Sequence, residues 1–266
     1  MFWWKGFPLD NTIVLDDTTI TVLSILVLLL TLFSLALLSR KRKIPFPLRR
    51  IAAYENMSVL AGRAIESDQP LHISLGSAGL GGESTLLAIA GAELAYHAAS
   101  QVVIGDRSPL LTVADPSALP LGQDTLRRVY DARGLKARYR PYNVHWYPMG
   151  HRSLAFAAAI TALLTDERVS SNLLTGSYGP ELALIMAAGW RREIPAMAVS
   201  DQLTGQAVAW VFADTPLIGE EIFVSPSYLR KDIPRLSEPV VMDILRWLLI
   251  LVLLGGLIAA LASNGG

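Results

Sequence analysis

Apolar and polar positions divide this chain into three zones. Residues 20–38 form an almost unbroken apolar run, and residues 240–262 form a second. Each is long enough to cross a bilayer as a helix. Between them, short apolar runs alternate with longer stretches of helical spacing. The runs predict strands at 71–75, 110–114, 144–147, 172–175, 196–200 and 209–213, and the spacing predicts helices at 48–66, 83–99, 121–134, 153–167 and 180–190. Such alternation implies an α/β fold: a mostly parallel, Rossmann-like sheet with helices on both faces, here flanked by two transmembrane helices.

Charge orients this arrangement. Arg40, Lys41, Arg42 and Lys43 follow the first run at once, with Arg49 and Arg50 close behind. The positive-inside rule then puts residues 1–19 outside, the domain 44–238 in the cytoplasm and the short C-terminus outside again, as expected for a two-pass protein of the cytoplasmic membrane. A cleaved signal peptide would instead carry its charges before the apolar run and a small-residue cleavage site after it. In the second run, Asp243 and Arg246 are spaced to pair on one helix face, and Gly256 and Ala260 allow close helix approach. The bilayer is therefore an expected partner, and other membrane proteins are candidates. Lys and Arg total 23 against 23 Asp and Glu, so no global field favours nucleic acid. The absence of cysteine removes disulfides and thiolate chemistry.

Three of the expected helices, at 84–99, 154–164 and 181–190, are apolar or alanine nearly all round. A helix on a monomeric α/β domain keeps one polar face, so this composition predicts a homo-oligomer. Tolerance of small alanines on a surface is the competing explanation.

Candidate chemistry centres on the loop after the first strand. Gly76, Ser77, Gly79, Gly81, Gly82 and Ser84 form a glycine-rich turn between strand and helix, the arrangement that presents backbone N–H groups to an anion. Gly82 and Glu83 stand where a P-loop needs lysine and Ser/Thr, so a P-loop ATPase is not expected. Against the dinucleotide fingerprint, Ser84 occupies the third glycine position. A tight turn that lets helix and strand pack closely explains the same glycines. Asp115, Asp201 and Asp214, read as strand-end residues, would converge with Ser77, Ser177 and Gln202 on one crevice; Asp106 is a further strand-end candidate. Helix capping and turn formation compete for these aspartates. The turn Gly76-Ser-Ala-Gly79 is echoed by Gly176-Ser-Tyr-Gly179, each with a glutamate, Glu83 or Glu181, at the helix start. No catalytic residue, metal set or cofactor follows from the residues.

The run Leu75-Gly-Ser-Ala-Gly-Leu-Gly-Gly-Glu-Ser-Thr, Thr112-Val-Ala-Asp-Pro, Gly176-Ser-Tyr-Gly-Pro-Glu and Ala213-Asp-Thr-Pro-Leu-Ile-Gly-Glu-Glu-Ile-Phe together resemble a bacterial membrane family, domain of unknown function 6754. The resemblance implies a membrane-flanked architecture and supplies no reaction or site residue. Two functions remain open: a membrane-anchored homo-oligomeric scaffold or binding module, and an enzyme that binds a nucleotide or phosphate ligand through loop 76–84.

Overall fold

The computed structural model describes residues 50–229, with 246–250 and 253 beyond them. The described residues 50–229 belong to one compact unit. Among the described residues no helix is long and apolar enough to cross a membrane. The expected N-terminal segment 1–19 and span 20–38 lie outside the described residues, as does most of 240–262, where 246–250 are helical.

The central unit is built from strands β1 (Leu71–Gly76), β2 (Leu110–Val113), β3 (Val144–Trp146), β4 (Ser171–Ser177), β5 (Ala196–Val199) and β6 (Thr215–Leu217). They alternate with helices α1 (Ala52–Glu66), α2 (Thr85–Val102), α3 (Leu119–Ala132), α4 (Leu154–Asp166), α5 (Leu182–Trp190), α6 (Leu203–Phe212) and the short α7 (Ser225–Leu229). The strand order is β3-β2-β1-β4-β5-β6, and every neighbouring pair runs parallel. This is the doubly wound order, whose direction of winding reverses between β1 and β4. All residues of β1, β2, β4 and β5 are buried, as their near-continuous apolar runs require when helices cover both faces.

Alternation along the strands assigns the layers. Gly91 of α2 lies over Leu75 and Thr175, and Gly122 of α3 lies over Leu111 and Val144. Leu110 and Leu174 point the other way, into a core shared with Phe156 and Ile160 of α4 and with Leu182 and Ile185 of α5. Helices α1, α2 and α3 therefore cover one face, and α4, α5 and α6 the other. On the second face the sheet carries a buried polar ladder. His72 is fully enclosed, with Nδ1 2.7 Å from Asn172 Oδ1 and Nε2 2.9 Å from Thr112 Oγ1. Asn172 Oδ1 only accepts, so Nδ1–H donates to it and Nε2 accepts from Thr112. Burial lowers the His72 pKa to about 4, outweighing the opposing Asn172 hydrogen bond, and His145 lowers it further.

One expected strand is a helix. The apolar stretch at 209–213 ends α6, and the sixth strand is Thr215–Leu217, with Pro216 inside it. A five-residue apolar run fits a buried helix as well as a strand, and only an edge strand tolerates proline.

The two outer layers differ in charge. Helix α1 carries Glu55, Arg63 and Glu66, and α3 carries Asp124, Arg127, Arg128 and Asp131. Helices α4, α5 and α6 carry a single charged residue, Asp166, at the end of α4. Their outer surface instead shows Leu154, Leu184, Trp190, Leu203, Trp210, Val211 and Phe212. The three helices expected to be apolar nearly all round sit in different surroundings. Helix α2 packs against α1, α3 and α7, which covers much of its apolar girth but leaves Leu86 and Ile89 exposed, whereas α4 and α5 lie beside α6 on the other face.

Where the chain enters and leaves this unit, the two ends meet. The Tyr54 hydroxyl donates to the Glu221 carbonyl, and the Tyr54 ring stacks on Tyr228 with centroids 5.0 Å apart. Because α1 runs antiparallel to β1 and β6 ends at Leu217, both ends lie at the carboxyl edge of the sheet.

Candidate functional site

The point where the winding reverses brings the two Gly-Ser-x-Gly turns side by side at that carboxyl edge. The Ser177 carbonyl accepts from both the Ser77 N–H (3.0 Å) and the Ser77 hydroxyl (2.9 Å). Gly176 has φ +150°, and a Cβ there would run into the Leu75 carbonyl, so glycine lets the strands stay together past the register shift near Gly76. The sequence echo therefore marks equivalent turns of the two halves of the fold. It breaks at the glutamates. Glu83 is exposed, while buried Glu181 accepts from the Gly179 N–H at 2.8 Å.

The glycine loop is held by its own chain. Ser84 Oγ accepts from the Gly79 N–H (3.1 Å), and Thr85 Oγ1 accepts from those of Gly81 (2.9 Å) and Gly82 (3.1 Å). The Leu80 N–H donates to Ser117 Oγ (2.8 Å), which itself donates to Asp115 Oδ1 (2.6 Å). Asp115 Oδ1 also accepts from the Ser117 N–H and caps the turn Pro116–Ala118. Its carboxylate lies so close to Gly79 that a Cβ there would sit 2.6 Å from Oδ2. An anion at this loop would displace three hydroxyls and meet a carboxylate, and no lysine or arginine belongs to the loop. The chemistry on offer is hydroxyl, amide and carboxylate, which suits the hydroxyl groups of a sugar or nucleoside better than a bare phosphate.

The second turn is closed in a similar way. Ser200 Oγ accepts from the Tyr178 and Gln202 N–H groups and donates to the Tyr178 carbonyl, and Gln202 Nε2 donates to Ser177 Oγ at 3.0 Å. The Tyr178 ring packs against Gly76, and burial raises the pKa of its phenol. Asp201, exposed, follows β5 at the same edge.

Most of the expected site residues therefore assemble: Gly76, Ser77, Gly79, Gly81, Gly82, Ser84, Asp115, Ser177 and Asp201 share the carboxyl edge. Asp214 does not. It precedes β6, at the amino edge, where Oδ2 accepts from the Ala196 N–H (2.7 Å) and the side chain borders a separate cleft of about 270 Å³. Its expected place depended on the strand that is a helix. Asp106 also precedes its strand, β2, and lies at the amino edge. Thr85, Ser117 and Ser200 were not among the sequence candidates; the Asp-Pro-Ser order at 115–117 is the one local signal, an aspartate placed to accept from the N–H two residues on. Among the described residues no three His, Asp or Glu side chains gather as a metal-binding group.

The fold and crevice define a doubly wound α/β domain of dinucleotide-binding topology without the phosphate-binding fingerprint. The family follows from a family model for a domain of unknown function, DUF6754, which matches residues 11–265; the chain belongs to that family. No curated protein and no solved structure matches the chain.

Proposed function

We propose that this protein is a membrane-anchored assembly module: a cytoplasmic α/β domain, held by two membrane-spanning segments, that builds homo-oligomers within a larger membrane assembly. The observation that carries this reading is the uncharged layer formed by α4, α5 and α6. A soluble domain keeps its outer helix faces polar, and apolar patches of this size mark contact surfaces. The two-anchor arrangement draws support from the apolar runs at 20–38 and 240–262 and from Tyr54 meeting Tyr228 and Glu221, which suits a domain inserted between two anchors. The test is chemical cross-linking of the full chain in intact membranes. Multiples of the 28.9 kDa chain are expected, and a monomer at every cross-linker concentration refutes the reading.

A second reading, a ligand-binding enzyme, is favoured by the pairing of two like turns at the point of reversal. Thermal unfolding of the purified protein against nucleosides, nucleotides, dinucleotides and sugar phosphates tests it. A ligand at about a hundred times its Kd adds roughly 2.7 kcal/mol and moves the melting curve. A cooperative melt that no ligand shifts refutes a site in the crevice for these classes.

A further inference from the structure

The uncharged layer has relief. On α6, Leu203, Ala207, Trp210 and Val211 fall at helical spacing on one exposed stripe, and Trp210 is 70 % exposed. On α5, Trp190 is 74 % exposed. Near the ends of these two helices, at the amino edge of the sheet, lies the cleft of about 270 Å³, whose apolar wall is Met186, Trp190, Ile194 and Phe212 and whose polar wall is Arg63, Glu193 and Asp214. Arg63 is held there by donating to the Glu193 carbonyl at 3.0 Å.

The size of the face matches a protein contact. At their observed exposures the two tryptophans offer roughly 350 Å², and with Leu154, Leu184, Leu203, Val211 and Phe212 the face reaches roughly 900 Å². A stable complex buries about 800 Å² per partner. The chemistry selects the occupant. A charged partner would lose solvation against α4, α5 and α6 and find only Asp166, at the far end of α4, as a charge along them, whereas a second copy brings the same nearly uncharged surface. In a two-fold contact each protomer supplies both projection and recess. A cavity of about 150 Å³ already takes a benzene ring, so this cleft has room for an indole, whose ring would lie on Met186, Ile194 and Phe212 with its N–H towards the Glu193 and Asp214 side and Arg63 facing the π-system.

We infer that the outer face of α4, α5 and α6 is a self-association surface on which a second copy of this chain docks, with Trp210 of each protomer seated in the cleft of the other. This rests on the assembly reading and names the surface responsible.

The experiment measures the oligomeric state of the full chain in nanodiscs or mild detergent across a dilution series. It compares the wild type with Trp210→Glu, Leu203→Glu and, as a control on the opposite face, Leu86→Glu. All three positions are at least 70 % exposed, so each variant is expected to keep the wild-type circular dichroism spectrum and a cooperative melt, with any drop in melting temperature for the outer-stripe pair attributable to lost association. The inference expects at least a tenfold rise in the dissociation constant for Trp210→Glu and for Leu203→Glu, and none for Leu86→Glu. If either outer-stripe variant associates like wild type, or the control weakens as much, this surface is wrong while the assembly reading stands. A wild-type chain that is monomeric throughout overturns both.

Discussion

The buried ladder in the sheet makes a quantitative prediction about pH. His72 is fully enclosed, both ring nitrogens are engaged by neutral partners, and its pKa is lowered to about 4. An unfolded chain returns it to about 6.5. Above pH 6.5 both states hold the ring neutral, and the ladder contributes in full. As pH falls from 6.5 towards 4, the unfolded chain takes up a proton that the native protein refuses, so stability declines. The slope approaches 1.4 kcal/mol per pH unit, and the total loss by pH 4 is about 3 kcal/mol. His145, half-buried and with a pKa also lowered by burial, acts in the same direction. The assay is urea unfolding of the full chain in detergent at pH 7.5 and pH 4.5, for wild type and His72→Gln. The glutamine side chain keeps hydrogen-bonding groups in the ladder but does not titrate, so carboxylates elsewhere cancel in the comparison. Wild type is expected to lose about 2 kcal/mol more than the variant over this interval. Parallel losses, or a His72 ring resonance that titrates near 6.5 in the folded protein, would refute the reasoning.

Three further substitutions probe the crevice and the junction of the chain ends. Asp115→Ala removes the cap of the turn Pro116–Ala118 and frees Ser117 from its acceptor, with an expected cost of about 1–2 kcal/mol in chemical unfolding. Gly79→Ala pushes a methyl group into the Asp115 carboxylate and is expected to cost about 1–3 kcal/mol alone but less in the Asp115→Ala background. Additive losses across that double-mutant cycle would show that the two residues do not press on one another. Tyr54→Phe deletes the hydrogen bond to the Glu221 carbonyl and should cost about 1 kcal/mol, read as a lower urea midpoint at unchanged slope.

Periodicity located the first five strands to within a few residues, because a strand buried on both faces has to be apolar along its length, as Leu71–Gly76 and Ala196–Val199 are. It failed at the sheet edge, where β6 has three residues and a proline while the end of α6 mimics a buried strand. That single error also misplaced Asp214. An aspartate beside a strand belongs to the carboxyl or amino edge according to which side of the strand it follows, so shifting the strand beyond it reverses the assignment. The glycine loop was legible as a loop at the carboxyl edge. Its internal closure was not, because the partners of its N–H groups include Ser117, whose side chain reaches Leu80 from the neighbouring strand's loop. Pairing between such distant residues depends on the order of strands in the sheet, and the periodicity of single segments is blind to it.

The domain contains its own control for the meaning of its uncharged face. Both layers cover the same sheet, and both must bury one side of each helix against it. The first layer also exposes single apolar side chains, Val59 and Ile65 of α1 and Leu86 and Ile89 of α2, but sets them among charges on α1 and α3. Helix α3 distributes Asp124, Arg127, Arg128 and Asp131 over its outer turns, with Arg127 paired to Asp124 at 2.6 Å and Arg128 resting on the Tyr96 ring. Helices α5 and α6 spend no position on charge and leave two tryptophans uncovered. Exposed indoles add nothing to the packing of the sheet beneath them and raise the risk of aggregation, so internal stability does not account for them. What sets this layer apart is its lack of charge together with two exposed indoles; that points to a requirement outside the domain, which a second protomer, in the assembly proposed above, would meet by covering apolar surface with the same surface.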